Sequence, residues 1–142
     1  MTSDGEFNEL VTTQRIVTAV TAKHLTAADL VSRGYVVSSP IMEHPKYDLI
    51  ADTGDKLLKI HVKMGSKGSL QVMLAKQKTY EYDNNLSYVQ RIVPKYVEGD
   101  FDYLAVVDRD TKDVYYLKWS DIDNTKTSLS LKLTDRDQFR DI

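Results

Sequence analysis

Asp48, His61 and Lys63 are the residues whose types and spacing offer chemistry in this chain of 142 residues. His61 and Lys63 stand two apart, so in an extended segment they share one face. Tyr47 to Ala51 and Leu57 to Lys63 read as two strands. The Asp52-Thr53-Gly54-Asp55 stretch between them is hairpin chemistry, with a glycine available for positive φ. Such a hairpin lets Asp48, His61 and Lys63 converge. An aspartate with a second ligand can hold a divalent cation, and a lysine beside it can polarise an attacking water. Phosphodiester hydrolysis uses that combination, because the cation offsets the charge developing on the phosphate. The same spacing is also that of an ordinary solvent-facing hairpin.

Positioning these residues requires a framework. Ile16, Val20, Ala27 and Val31 recur at helical spacing, widened by Val17 and Ala28, and predict a helix over Thr13–Arg33 that Gly34 ends. A short strand over Tyr35–Ser38 follows. In the strand Leu57–Lys63, Leu58, Ile60 and Val62 share one face and Lys59, His61 and Lys63 the other. Leu70, Val72 and Leu74 alternate as a third strand. Thr79–Val97 reads equally as a short helix or a loop. Phe101–Val107 is apolar enough to be a central strand covered on both faces. Val114–Trp119 and Ser128–Leu133 are further strands, with a helical turn expected at Ser120–Ile122. This order predicts one α/β domain over residues 13–142, a mixed β-sheet flanked by helices, after a flexible N-terminal segment over residues 1–12.

Composition narrows the classes. Apolar residues are 42% and charged residues 28% of the chain, as in soluble globular proteins. No apolar run approaches the ~18–20 residues of a transmembrane helix. Met1–Leu10 has neither a basic nor an apolar signal region, so no secretory signal is expected and the expected location is cytoplasmic. Cysteine is absent, which removes disulfides, thiolate nucleophiles and thiolate zinc sites. Formal net charge is −2, but Lys56–Lys95 holds eight basic and two acidic residues, leaving that segment at +6 and the remainder at −8. Such asymmetry can build a positive face for DNA, with Lys67, Lys76, Lys78, Arg91 and Lys95 as candidate contacts, or form an unpartnered solvated surface. Tyr80, Tyr82, Tyr88 and Tyr96 are interleaved with these cations and suit either nucleic-acid contacts or a core. His24 reads as a packed or partly exposed histidine and not a ligand, His44 as a minor neighbour of the site, and Gln71 as a surface residue.

Several ordered motifs together resemble one family. Arg33-Gly34-Tyr35-Val36-Val37-Ser38-Ser39-Pro40, then Lys46-Tyr47-Asp48-Leu49-Ile50, then Lys59-Ile60-His61-Val62-Lys63, is similar to PD-(D/E)XK endonucleases related to group I intron homing enzymes and Holliday-junction resolvases. Gly99-Asp100-Phe101-Asp102-Tyr103-Leu104-Ala105-Val106 and Val114-Tyr115-Tyr116-Leu117 resemble its downstream strands, so the likeness spans Thr13–Leu133. It implies a restriction-endonuclease-like fold, a DNA substrate in duplex or branched form, a magnesium or manganese cofactor, and a homodimer or homotetramer. It also implies Asp48 and His61 as metal ligands, with Lys63 polarising water or phosphate. Two positions depart from the family. His61 stands where the family has Glu or Gln, and Lys23 falls near the slot of a helical Glu. An alternative is therefore a degraded nuclease that binds DNA, or only assembles, without cutting.

Overall fold

The computed structural model describes residues 4–44, 46–74, 76–82, 84–94, 96–123 and 128–142. A single long helix, α1 (Asp4–Ser32), leads into β1 (Val36–Ser38), β2 (Leu49–Asp52) and β3 (Leu57–Met64). The short β4 (Gln71–Met73) and the hairpin β5 (Lys76–Tyr82) and β6 (Tyr88–Pro94) follow. Then come β7 (Tyr103–Val107), β8 (Val114–Lys118), a 3-10 turn at Trp119–Asp121, β9 (Ser128–Ser130) and a second 3-10 turn at Arg136–Phe139.

Five strands form the main sheet, in the order β1-β2-β3-β7-β8. Only β3 and β7 run parallel, with Ile60 opposite Tyr103 and Met64 opposite Val107. The β2–β3 hairpin pairs Leu49 with Ile60 and Asp52 with Leu57, and Gly54 sits in its turn at φ +94°. That conformation is open to glycine at little cost, which is why the turn closes there. β7 is central. Its Ala105 and Val107 pack towards α1 with Ile60, Val114 and Tyr116, while Leu104 and Val106 join Leu70, Val72, Phe101 and Leu131 in a second cluster. The sheet is thus covered by α1 on one face. Among the described residues, β4, β9 and irregular chain cover the other.

The helix starts at Asp4, ahead of the apolar repeat that begins near Thr13. Its buried face also differs from the stripe read in the sequence. Ile16, Val17, Val20 and Val31 are exposed, whereas Ala22, Thr26 and Leu30 meet the sheet. Small residues at 22 and 26 let the helix lie close on the strands, and the buried Thr26 hydroxyl donates to Ala22 O at 2.9 Å. Most of the apolar stripe therefore faces outward, while Ala27 packs against the core. Gly34 does end the helix, at φ +88°, its N–H bonded to Val31 O at 2.9 Å. Thr79–Val97 is neither helix nor loop for most of its length: Thr79 opposite Arg91 and Tyr82 opposite Tyr88 belong to the β5–β6 hairpin.

Candidate active site

Asp48 lies just ahead of β2, where its N–H donates to Ile60 O at 2.8 Å and extends the ladder towards β3. The turn of the backbone aims its carboxylate across that strand. Oδ2 accepts from Val62 N–H at 2.7 Å and lies 3.2 Å from Nδ1 of His61. The His61 ring is buried at 9% exposure, stacked on Phe101 at 5.7 Å, with Nε2 2.9 Å from the Tyr96 hydroxyl. Nδ1 is also enclosed, yet it makes no aligned hydrogen bond, so its contact with Asp48 is electrostatic.

The charges around Asp48 compete. Burial raises its carboxyl pKa, but contact with His61, the Val62 N–H and the positive charge of Lys23 outweigh it and leave the value lowered. Lys23, reaching from α1, is therefore an electrostatic neighbour of the site. Tyr96 goes the other way: burial, helped by the charges of Asp48 and Asp100, pushes its hydroxyl up to about 12. It stays protonated at neutral pH, as a hydrogen-bonding group and not a nucleophile. Lys63 follows His61 by two residues, and its Nζ lies 5.9 Å from the Tyr96 ring centroid. Lys46 approaches the same ring at 5.3 Å while pairing with Asp100 at 3.7 Å.

The PD-(D/E)XK nucleases that the sequence resembles generally use divalent metals, so the donor set can be tested against one. Adjacent ligands on an ion with bonds of about 2.1 Å lie roughly 3.0–3.4 Å apart, from octahedral to tetrahedral geometry. The separation of Asp48 Oδ2 and the enclosed, unbonded His61 Nδ1 matches that bite. Nε2 is committed to Tyr96, which leaves Nδ1 as the nitrogen that faces the carboxylate. Among the described residues no group of three His, Asp or Glu side chains gathers here or elsewhere. Two protein donors and a neighbouring lysine suit an ion that accepts nitrogen better than magnesium, with solvent or phosphate filling the remaining positions.

Other candidates separate clearly. His44 stacks on Tyr47 at 4.1 Å and accepts from Lys46 N–H at 3.0 Å, which fixes its loop. Nδ1 of the exposed His24 lies 2.9 Å from Val20 O of its own helix. Gln71 is exposed on β4, and Lys67 is exposed in the turn before it. Lys76 and Lys78 fall on β5 and Arg91 on β6, while Lys95 lies outside the described residues. The role of Tyr96 was missed by sequence reasoning, because a partner far along the chain from His61 leaves no local pattern. Tyr82 and Tyr88 instead face each other across the hairpin, 5.5 Å apart.

Comparison with known proteins bears out the fold. A solved bacterial homing endonuclease, I-Ssp6803I, superposes with a TM-score of 0.61 at 21% identity, over 84% of this chain and 79% of that one. No curated protein sequence matches. The family model described as PD-(D/E)XK endonuclease matches residues 13–141. With that match over nearly all of a mixed sheet that sets Asp48 beside the His61–Lys63 strand, the chain belongs to the PD-(D/E)XK endonuclease family.

Proposed function

We propose that this protein is a DNA endonuclease that hydrolyses phosphodiester bonds in duplex or branched DNA at the Asp48–His61–Lys63 corner. The observation that carries the reading is the convergence of Asp48 and His61 at 3.2 Å, with Lys63 two residues further along the same strand. A divalent ion held by Asp48 and His61 would supply charge for the phosphate. Lys63 would donate a hydrogen bond to a phosphate oxygen or to the attacking water, and Asp48 would accept a hydrogen bond from that water and so orient it. The water's proton would pass to solvent, and the leaving oxygen would be protonated from solvent as the P–O bond breaks. Tyr96 holds the His61 ring in register. Pairing of subunits, to reach both strands, is part of the proposal, and the exposed Ile16, Val17, Val20 and Val31 on α1 offer an apolar contact face. A DNA substrate would place the protein inside the cell, at DNA.

Plasmid and junction DNA incubated with magnesium, manganese and cobalt test the reading. Cleavage should favour manganese or cobalt, and Asp48→Asn and Lys63→Ala should each abolish nicking with the fold retained. Full activity in Asp48→Asn would remove this site from consideration.

The positive charge of Lys23 beside Asp48 favours a second reading, in which DNA is held and not cut. That protein would be inert with every metal. A Lys23→Glu, His61→Glu double variant would then acquire magnesium binding, measurable by calorimetry, that the natural chain lacks.

A further inference from the structure

At the C-terminal ends of β3 and β7, an open cleft runs between α1 and β4. Among the described residues its charged lining is cationic: Arg15 from α1, Lys63 from β3 and Arg109 from the turn after β7. Thr18, Ser66 and Gln71 add neutral hydrogen-bonding groups, and among the described residues no carboxylate lines it. The arginines divide accordingly. Arg33 pairs with Asp29 at 3.0 Å, Arg136 with Asp108 at 3.6 Å and Arg140 with Asp113 at 3.2 Å. Among the described residues, Arg15 and Arg109 form no ion pair, and both are exposed.

Guanidinium groups gathered in a concave surface, with no acid opposite, repel one another unless an anion joins them. Arginine's planar fork matches phosphate oxygens. The cleft is also continuous with the site, because Lys63 belongs to both and the preceding Val62 N–H holds Asp48. A phosphodiester strand lying there would present one phosphate to Lys63 and neighbouring phosphates to the two arginines.

We infer that Arg15 and Arg109 form a clamp for the DNA backbone next to the Asp48–Lys63 corner, and that it works without metal. This rests on the DNA reading above and names the surface that reading lacks. Its lining residues are on other elements than the β5–β6 hairpin, which carries the candidate contacts Lys76, Lys78 and Arg91.

The test is binding of a fluorescein-labelled DNA duplex by the full chain, in EDTA, over a salt series. Each phosphate contact contributes about 0.9 to the slope of log affinity against log salt. Arg15→Ala with Arg109→Ala should therefore flatten the slope by about 2 units and weaken binding about tenfold at moderate salt. Lys56→Ala with Lys118→Ala removes equal charge from the opposite ends of β3 and β8, where both lysines are exposed, and should leave slope and affinity unchanged. Equal losses in the two pairs, or no loss in the arginine pair, would overturn the clamp while leaving DNA binding intact. Absence of salt-dependent binding in the natural protein would defeat the DNA reading itself.

Discussion

Two charged regions of this molecule meet at Lys63 and treat their charges in opposite ways. Around Asp48 every ionic group faces a protein partner: the carboxylate has Val62 N–H, His61 and the field of Lys23, and His61 has Tyr96 on its far side. In the cleft the arginines face solvent and, among the described residues, no acid. Pairing inside the protein lets a charge be buried at modest cost, whereas a cation left unpaired keeps its binding capacity for a ligand. Residue type does not separate the two cases, since Arg136 and Arg109 are both arginine. The carboxylate opposite Arg136 does.

If pairing is what separates them, removing a paired cation should damage the fold and removing an unpaired one should not. Arg136→Met should have the largest effect. It leaves Asp108 buried without its counterion and discards the donations to Leu131 O at 2.9 Å and Gly68 O at 3.3 Å. A loss of about 3–5 kcal/mol in urea unfolding is expected. A loss well below that would erase the distinction between the two sets of arginines. Next comes Tyr96→Phe, which leaves His61 Nε2 enclosed without a partner and should cost about 1–2 kcal/mol. It should also change the alkaline limb. The folded value of Tyr96, raised to about 12 from 10, stabilises the fold fully below 10, and that contribution is lost as pH rises towards 12. Unfolding measured on both sides of pH 10 should therefore fall less steeply in the variant.

Asp48→Asn should act weakly and at the acid end. Its lowered carboxyl stabilises the fold above the ordinary value of 3.8 and ceases to do so as pH falls through the folded value. With 31% of the side chain exposed, solvent screening keeps the effect to about 1 kcal/mol or less. A flattened acid limb in the variant is the signature. The smallest change is expected for Arg15→Ala with Arg109→Ala, whose stability should stay within about 0.5 kcal/mol of the natural protein. A larger loss would reveal internal partners and break the contrast at its other end.

Local order was the part of this structure that the sequence made legible. The Asp52–Asp55 turn, the alternation around His61 and the apolar β7 depend on near neighbours or on burial from both sides, and each reads directly. Ile16, Val17 and Val20 misled because helical periodicity identifies an apolar face without saying what lies against it. In Thr79–Val97, Tyr80 and Tyr82 continue the alternation of Lys76 and Lys78, a period of two that outranks any helical repeat. At the site, Asp48, His61 and Lys63 stood out by spacing. Tyr96 and the Arg15–Arg109 cleft did not, because tertiary packing alone brings those residues together.

The parallel pairing of β3 with β7 has a consequence in time. The β2–β3 hairpin carries Asp48, His61 and Lys63 on adjoining chain and can close quickly, as short antiparallel units do. β7 can dock beside β3 only after the whole stretch containing β4, β5 and β6 has been looped out, and such closures slow folding. Phe101 and Tyr96, which enclose His61, arrive with that docking. During folding, then, the carboxylate and lysine share a strand pair well before the imidazole is locked, and the finished corner appears at the rate of the slowest loop.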